Sequence, residues 1–279
     1  MRVFGIDFTS APCARKPVTC ALANLDGGRL ILHGLCALDS LDCFENLLRC
    51  DGPWIAGMDF PFGLPRDFLE PANWPTAWER YVETAAGMER QDFHDMMREI
   101  CNARPEGQRY SLREADRAAG ARSPMNVTRP PVGLMFHAGA PSLLASGATV
   151  VPVHRGDPDR TVVEAYPKLV AEALIGRRPY KDEKAAEPGE PRTEARSELV
   201  RALASARVAE IYGVRVEDLG AFEEDLCQDV RGDRVDAVMC AVQAAWAWNN
   251  RHQDFGIPGD VDPAEGWITD PATAAAATA

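Results

Sequence analysis

Two hydrophobic periodicities alternate along the chain. Arg2 to Phe8 (RVFGIDF) is a short apolar run that ends on Asp7 and reads as a strand. Pro17 to Leu25 and Arg29 to Leu38 read as two more strands, joined by the hairpin turn Asp26-Gly27-Gly28. The period then lengthens. Leu41, Phe44, Leu47 and Leu48 share one helical face behind the capping pair Asp39-Ser40, and Cys50-Asp51-Gly52-Pro53 stops the helix. Trp54 to Phe60 (WIAGMDF) is a fourth strand, closed by Pro61-Phe62-Gly63-Leu64-Pro65, since proline cannot donate to a ladder.

Residues 66–147 change character. Trp74, Trp78, Tyr81, Val82, Met88, Phe93, Met96 and Met97 fall on helical spacings broken at Pro105-Glu106-Gly107 and Thr128-Arg129-Pro130-Pro131, which predicts a helical insertion capping the sheet. A strand pattern returns at Ala148 to Val153 and, after a turn at Gly156-Asp157-Pro158, at Thr161 to Ala165. Leu169 to Ile175 is helical, Arg177 to Pro191 a charged loop, and Thr193 to Tyr212 one long amphipathic helix. Asp233 to Asn249 is the last strong element, and the small-residue tail 271–279 is expected to fray. The expectation is one α/β domain over residues 1–270. No stretch approaches the roughly 18 apolar residues of a membrane helix, and the N-terminus lacks a signal peptide's apolar core, so a cytoplasmic protein is expected.

Charge narrows the picture. Against 30 Lys+Arg stand 42 Asp+Glu, a net charge of −12 over 279 residues, which disfavours broad non-specific binding to nucleic acid. A local exception runs from Arg98 to Arg129, where the arginines outnumber the acids. Arg109, Arg113 and Arg117 in this stretch are either a solvated helical face or a guide for an anionic substrate. The 8 cysteines form no C-x-x-C pair, which speaks against a zinc site and for reduced structural thiols.

The acids are informative by placement. Asp7 and Asp59 end apolar strands, Glu164 sits between Val163 and Ala165, and Asp233 and Asp236 open the last helix on one face. A charge among apolar neighbours is costly unless it is paired or metal-bound. Each acid alone has a bland explanation, a turn cap or an ion pair; together they predict an oxygen-rich site for Mg²⁺ or Mn²⁺. Two such ions clamp the attacking and leaving oxygens of a phosphodiester. Crowded carboxylates without metal repel, so at least one should titrate above its ordinary value.

Three hairpin-connected strands, a helix, a fourth strand and a late acid-bearing helix resemble the ribonuclease H-like fold, and the Asp233–Asp236 spacing resembles its RuvC-type branch. The blocks GIDFTSAP (5–12), GMDFPFGLP (57–65), VEAYPK (163–168), GDRVDAVMCAVQAAW (232–246) and EGWITDP (265–271) resemble domain-of-unknown-function family 429, described as a predicted nuclease of that fold. The resemblance implies a mixed five-stranded sheet with flanking helices and a divalent-metal-dependent nuclease acting on nucleic acid or a nucleotide. It implies Asp7 as the metal-bridging carboxylate, Asp59 beside it, Asp236 completing the site, and Asp233 as a ligand or its supporting partner. Glu164 belongs to the pattern of family 429 more than to nucleases at large, as a further catalytic and metal-binding acid. Thr9 and Ser10 either bind a phosphate or cap the turn before Pro12. Lys168 either contacts phosphate or forms a salt bridge on its helix.

Two other readings compete. An actin- or sugar-kinase-like ATP-dependent phosphotransferase shares the strand order, but it needs late glycine-rich nucleotide loops, and no Gly-Gly pair follows Gly147. A non-catalytic binding protein that keeps the ribonuclease H fold fits the acidic balance and not the retained acids. A serine hydrolase lacks its G-x-S-x-G, and the 5 histidines are scattered.

Overall fold

The computed structural model describes residues 1–182 and 190–276. Seven strands form one mixed sheet: β1 (Arg2–Asp7), β2 (Val18–Asp26), β3 (Arg29–Leu38), β4 (Trp54–Met58), β5 (Ala148–Val151), β6 (Asp157–Glu164) and β7 (Arg215–Glu217). Their order is β5-β6-β4-β1-β2-β3-β7. The β1-β2-β3 meander is antiparallel, and β4 and β6 continue from β1 in parallel. Gly27 and Gly28 both take positive φ in the β2–β3 turn, the conformation a tight hairpin demands.

The expected five-stranded sheet is therefore corrected to seven strands. The edge strand β7 has three residues and pairs in parallel with β3, too short a run to show a period of two. At the other edge β5 pairs in parallel with β6. The turn expected at 156–158 is the beginning of β6; the reversal lies in 152–156, where His154 bridges back to Val150.

The helices α1 (Leu41–Leu48), α2 (Arg66–Leu69), α3 (Trp78–Ala86), α4 (Arg90–Ala103), α5 (Glu114–Ala119) and α6 (Val132–Ser146) precede β5. After β6 come α7 (Pro167–Ile175), α8 (Glu190–Leu203), α9 (Ala206–Tyr212), α10 (Glu223–Gln228), α11 (Asp233–Asn249) and α12 (Pro271–Ala276). Ser40 caps α1 by accepting the Cys43 N–H. The helix expected over 193–212 is broken: Ser205 accepts the Arg207 N–H and restarts the chain as α9. Of the charged loop expected over 177–191, residues 183–189 lie outside the described residues, and α8 already begins at Glu190. The tail expected to fray is helical over Pro271–Ala276 and buries Thr273; residues 277–279 lie outside the described residues.

Side chains alternate across the sheet, and both faces are covered. Phe4, Ile6, Trp54, Ala56, Met58 and Val162 bury against Phe44 of α1 and Trp78, Tyr81, Phe93 and Phe136 of the 66–147 helices. These helices form one of the two core layers. Val3, Ile55 and Val163 face the other way, toward Val170 and Leu174 of α7, Leu199 of α8 and Val238 and Val242 of α11.

A glycine pair fixes the depth of α11. Gly5 and Gly57 are direct partners across β1 and β4. A Cβ at Gly5 would stand 1.9 Å from the Ala237 carbonyl oxygen, and one at Gly57 would stand 2.3 Å from that of Cys240. Only glycine on both strands, facing Ala241 and Ala244 on the helix, lets α11 lie this close to the sheet. Two residues beyond each glycine comes an aspartate.

Candidate metal centre

Asp7 is the last residue of β1. Asp59 follows β4, and its backbone N–H donates to the Ile6 carbonyl at 2.9 Å, so the two chains stay in step past the strand ends. The period of two puts Asp7 on the face of Gly5 and Asp59 on the face of Gly57, both toward α11. The first turn of α11, drawn in over the glycines, supplies Asp236, which is fully buried. One carboxylate oxygen from each of Asp7, Asp59 and Asp236 lies within 4.8 Å of the others. The site occupies the C-terminal edge of the parallel strands β1, β4 and β6, where α/β sheets commonly place ligands.

The electrostatics are those of acids short of positive charge. Burial, then the charge of Asp236, raises the Asp7 carboxyl well above its usual value; Asp233 and Asp59 add to the shift. Burial pushes Asp59 up to about 7, with Asp236 and Glu164 contributing and Lys181 opposing. Burial raises Asp236 as well, against the pull of Lys181 and Tyr180. The Tyr180 hydroxyl donates to one Asp236 oxygen at 2.8 Å, and the Lys181 ammonium donates to the other. Burial disfavours that ammonium, but Asp236, Tyr180 and Asp7 outweigh it and hold its pKa well above the ordinary value. Lys181 stands where a cation is needed. Three carboxylates with no thiol or imidazole among them suit a hard divalent ion such as Mg²⁺ or Mn²⁺.

A cavity of about 250 Å³ opens over the cluster, with Thr9, Lys16, Arg122 and Lys181 among its walls. Lys16 and Arg122 are exposed cations there, so the cavity sets positive charge opposite the carboxylates.

The other residues singled out by sequence fall differently. Glu164 does not join the three-carboxylate cluster. It is the direct partner of Met58, one residue out of phase with Asp59, so its side chain turns to the opposite face of the sheet. There Arg113 grips it with two hydrogen bonds, 2.6 Å to Oε1 and 2.9 Å to Oε2, and the Phe62 N–H donates to Oε2 at 2.9 Å. Arg113 also binds Asp116 at 2.8 Å and is 1% exposed. As an ion-paired core residue it is no surface guide for substrate, which corrects that expectation. Arg109 and Arg117 are exposed and do not line the cavity.

Asp233 is half-buried and outside the cluster, although its charge is felt at Asp7. The Ser10 hydroxyl and carbonyl accept hydrogen bonds of 2.9 and 3.0 Å from Arg90. Lys168 lies 3.6 Å from Glu172, the salt bridge on its own helix. Sequence reading missed Lys181 and Tyr180. Their only signal was the cationic run Arg177-Arg178-Pro179-Tyr180-Lys181, which reads as an ordinary charged loop until the fold carries it to Asp236.

No curated protein and no solved structure matches the chain. The sequence pattern of one family does match, from residue 5 to residue 261, a span that takes in the glycine pair and all three clustered aspartates. By that match the chain belongs to the family described as "Protein of unknown function (DUF429)".

Proposed function

We propose that the chain is a divalent-metal-dependent nuclease, built on a ribonuclease H-like sheet, that hydrolyses phosphodiester bonds with Mg²⁺ or Mn²⁺. The observation that carries this reading is the convergence of Asp7, Asp59 and Asp236 within 4.8 Å at one sheet edge. The run β3-β2-β1-β4-β6, antiparallel on one side of β1 and parallel on the other, supports the fold assignment, with β5 and β7 as edge additions.

In this reading Asp7 and Asp59 present carboxylates from adjacent strands and Asp236 from the helix above. A divalent ion held by these three carboxylates would supply an activated water and positive charge toward the leaving oxygen. Lys16, Arg122 and Lys181 line the same cavity and offer cationic donors to the non-bridging phosphate oxygens. Glu164 contributes through Arg113, by locking the strand edge on which Asp59 sits.

Calorimetric titration with Mn²⁺ tests the site directly. The wild type should bind in the low-millimolar range or tighter, and Asp7→Asn should weaken binding more than about ten-fold. A labelled oligonucleotide should be cut by the wild type only with divalent metal, and not by Asp7→Asn. A wild type that binds no Mn²⁺ overturns the proposal.

A further inference from the structure

A second cavity, of about 500 Å³, adjoins the acid cluster and shares Asp59, Tyr166 and Lys181 with the first. Its walls add Asp236, Lys168, Arg177 and Arg178. The cations are available to a ligand. The Arg177 side chain is 89% exposed and lies 3.6 Å from Glu172, and Arg178 pairs with Glu198 at the surface. Such exposed pairs are weak and yield readily to a phosphate.

On the other flank, reached past Asp233, lies a third cavity of about 640 Å³. There Asp225 and Asp229 join Asp233 against Arg231 and Arg234, and Arg234 is already paired with Asp225 at 3.0 Å. The two flanks of the cluster therefore differ in sign. With Asp59 and Asp236 committed to metal, the second cavity keeps four cations against Glu172 alone, whereas acids still outnumber cations in the third.

Tyr166 sits at the junction and lines both the first and second cavities. Its backbone is clamped by the buried Gln243, which accepts from its N–H at 2.9 Å and donates to its carbonyl at 3.3 Å. Lys168 lies 5.8 Å from the ring centroid. A partly exposed aromatic ring on a fixed backbone, between the acid cluster and arginines held only by surface ion pairs, is a stacking platform for a base. The volume falls within the roughly 300–1,000 Å³ that ligand-sized groups occupy.

We infer that the second cavity is a subsite for the nucleotide adjoining the scissile phosphate, with Tyr166 stacking on its base and Arg177 and Arg178 binding the next phosphate. The substrate is then a single-stranded stretch of nucleic acid that leaves the acid cluster on the α7 side, and not a mononucleotide. This rests on the nuclease reading of the cluster.

The test is fluorescence anisotropy of labelled oligothymidylate and oligouridylate with the full-length protein in Ca²⁺, paired with Mn²⁺ calorimetry. The variant carrying Arg177→Ala and Arg178→Ala should bind the oligonucleotide about ten-fold or more weakly, with a shallower salt dependence and unchanged Mn²⁺ affinity. Tyr166→Ala should also lose about ten-fold, while Tyr166→Phe keeps the ring and binds normally. Arg231→Ala with Arg234→Ala, on the acidic flank, should change nothing. Unaltered binding by the Arg177/Arg178 variant, or an equal loss from the Arg231/Arg234 variant, overturns the subsite. A wild type that binds Mn²⁺ but neither oligonucleotide overturns the subsite and leaves the metal centre standing; one that binds no Mn²⁺ overturns both.

Discussion

Two groups of acids meet at the same cavity, Asp116 and Glu164 from one and Asp7 and Asp59 from the other, and they are solved in opposite ways. Glu164 and Asp116 share the guanidinium of Arg113, whose hydrogen bonds match both carboxylates, so that network is complete within the protein. Asp7, Asp59 and Asp236 gather around one ammonium, Lys181; burial raises all three carboxyls, and the charge of Asp236 adds to the rise at Asp7 and Asp59. The first group is an internal ion pair that ties the 66–147 helices to β6. The second is a cluster with one ammonium among three carboxylates, the place to which the proposed function assigns a divalent ion. Residue type does not separate them: each group joins carboxylates at or just beyond strand ends to one in the first turn of a helix, Asp116 of α5 or Asp236 of α11. The one-residue phase difference between Asp59 and Glu164 sends one toward α11 and the other toward Arg113.

The largest expected contrast is in stability. Arg113→Met strands two buried carboxylates and should cost about 3–5 kcal/mol, read as a fall of roughly ten degrees in the thermal midpoint. Asp7→Asn removes a repelled charge and should leave the metal-free midpoint unchanged or higher. If Arg113→Met melts like the wild type, the claim that its network is structurally complete fails.

A smaller effect follows from pH. Asp59 has a folded-state pKa of about 7, above its value of about 3.9 in an unfolded chain. The folded protein therefore holds the proton more tightly. The stabilisation this gives is fully present below about pH 4 and is lost as pH rises through about 7. The metal-free protein should lose thermal stability across that window while its apparent Mn²⁺ affinity rises, because metal and proton compete for the same carboxylates. NMR titration of the side-chain carboxyls checks the assignment; an Asp59 that titrates near 4 would refute it.

The smallest effect belongs to Lys181. Lys181→Met removes the internal cation that a metal must displace from Asp236, so Mn²⁺ should bind several-fold more tightly by calorimetry. Weaker binding would mean that Lys181 organises the cluster for metal instead of competing with it.

Much of the frame was legible in the sequence. The apolar runs ending on Asp7 and near Asp59, the Gly27-Gly28 turn and the Ser40 cap are local signals, each set by a few neighbouring residues, and they mark β1 to β4 and α1 closely. Asp236 was legible too, as an acid on the first turn of a strongly apolar helix. The three-residue β7, the break at Ser205 and the burial of Thr273 were not, since each depends on contact with elements distant along the chain.

The same division holds at the site. Sequence determined which acids end strands and which open a helix, because strand and helix periods are properties of the local chain. Only the tertiary structure decided their partners. Glu164 went to Arg113 because sheet register fixes the face each residue meets. Asp236 reached Asp7 and Asp59 because two glycines without side chains let a helix settle onto the strands. Lys181 became their counter-ion because charge attraction acts through space, and its closest acid lies 55 positions away along the chain.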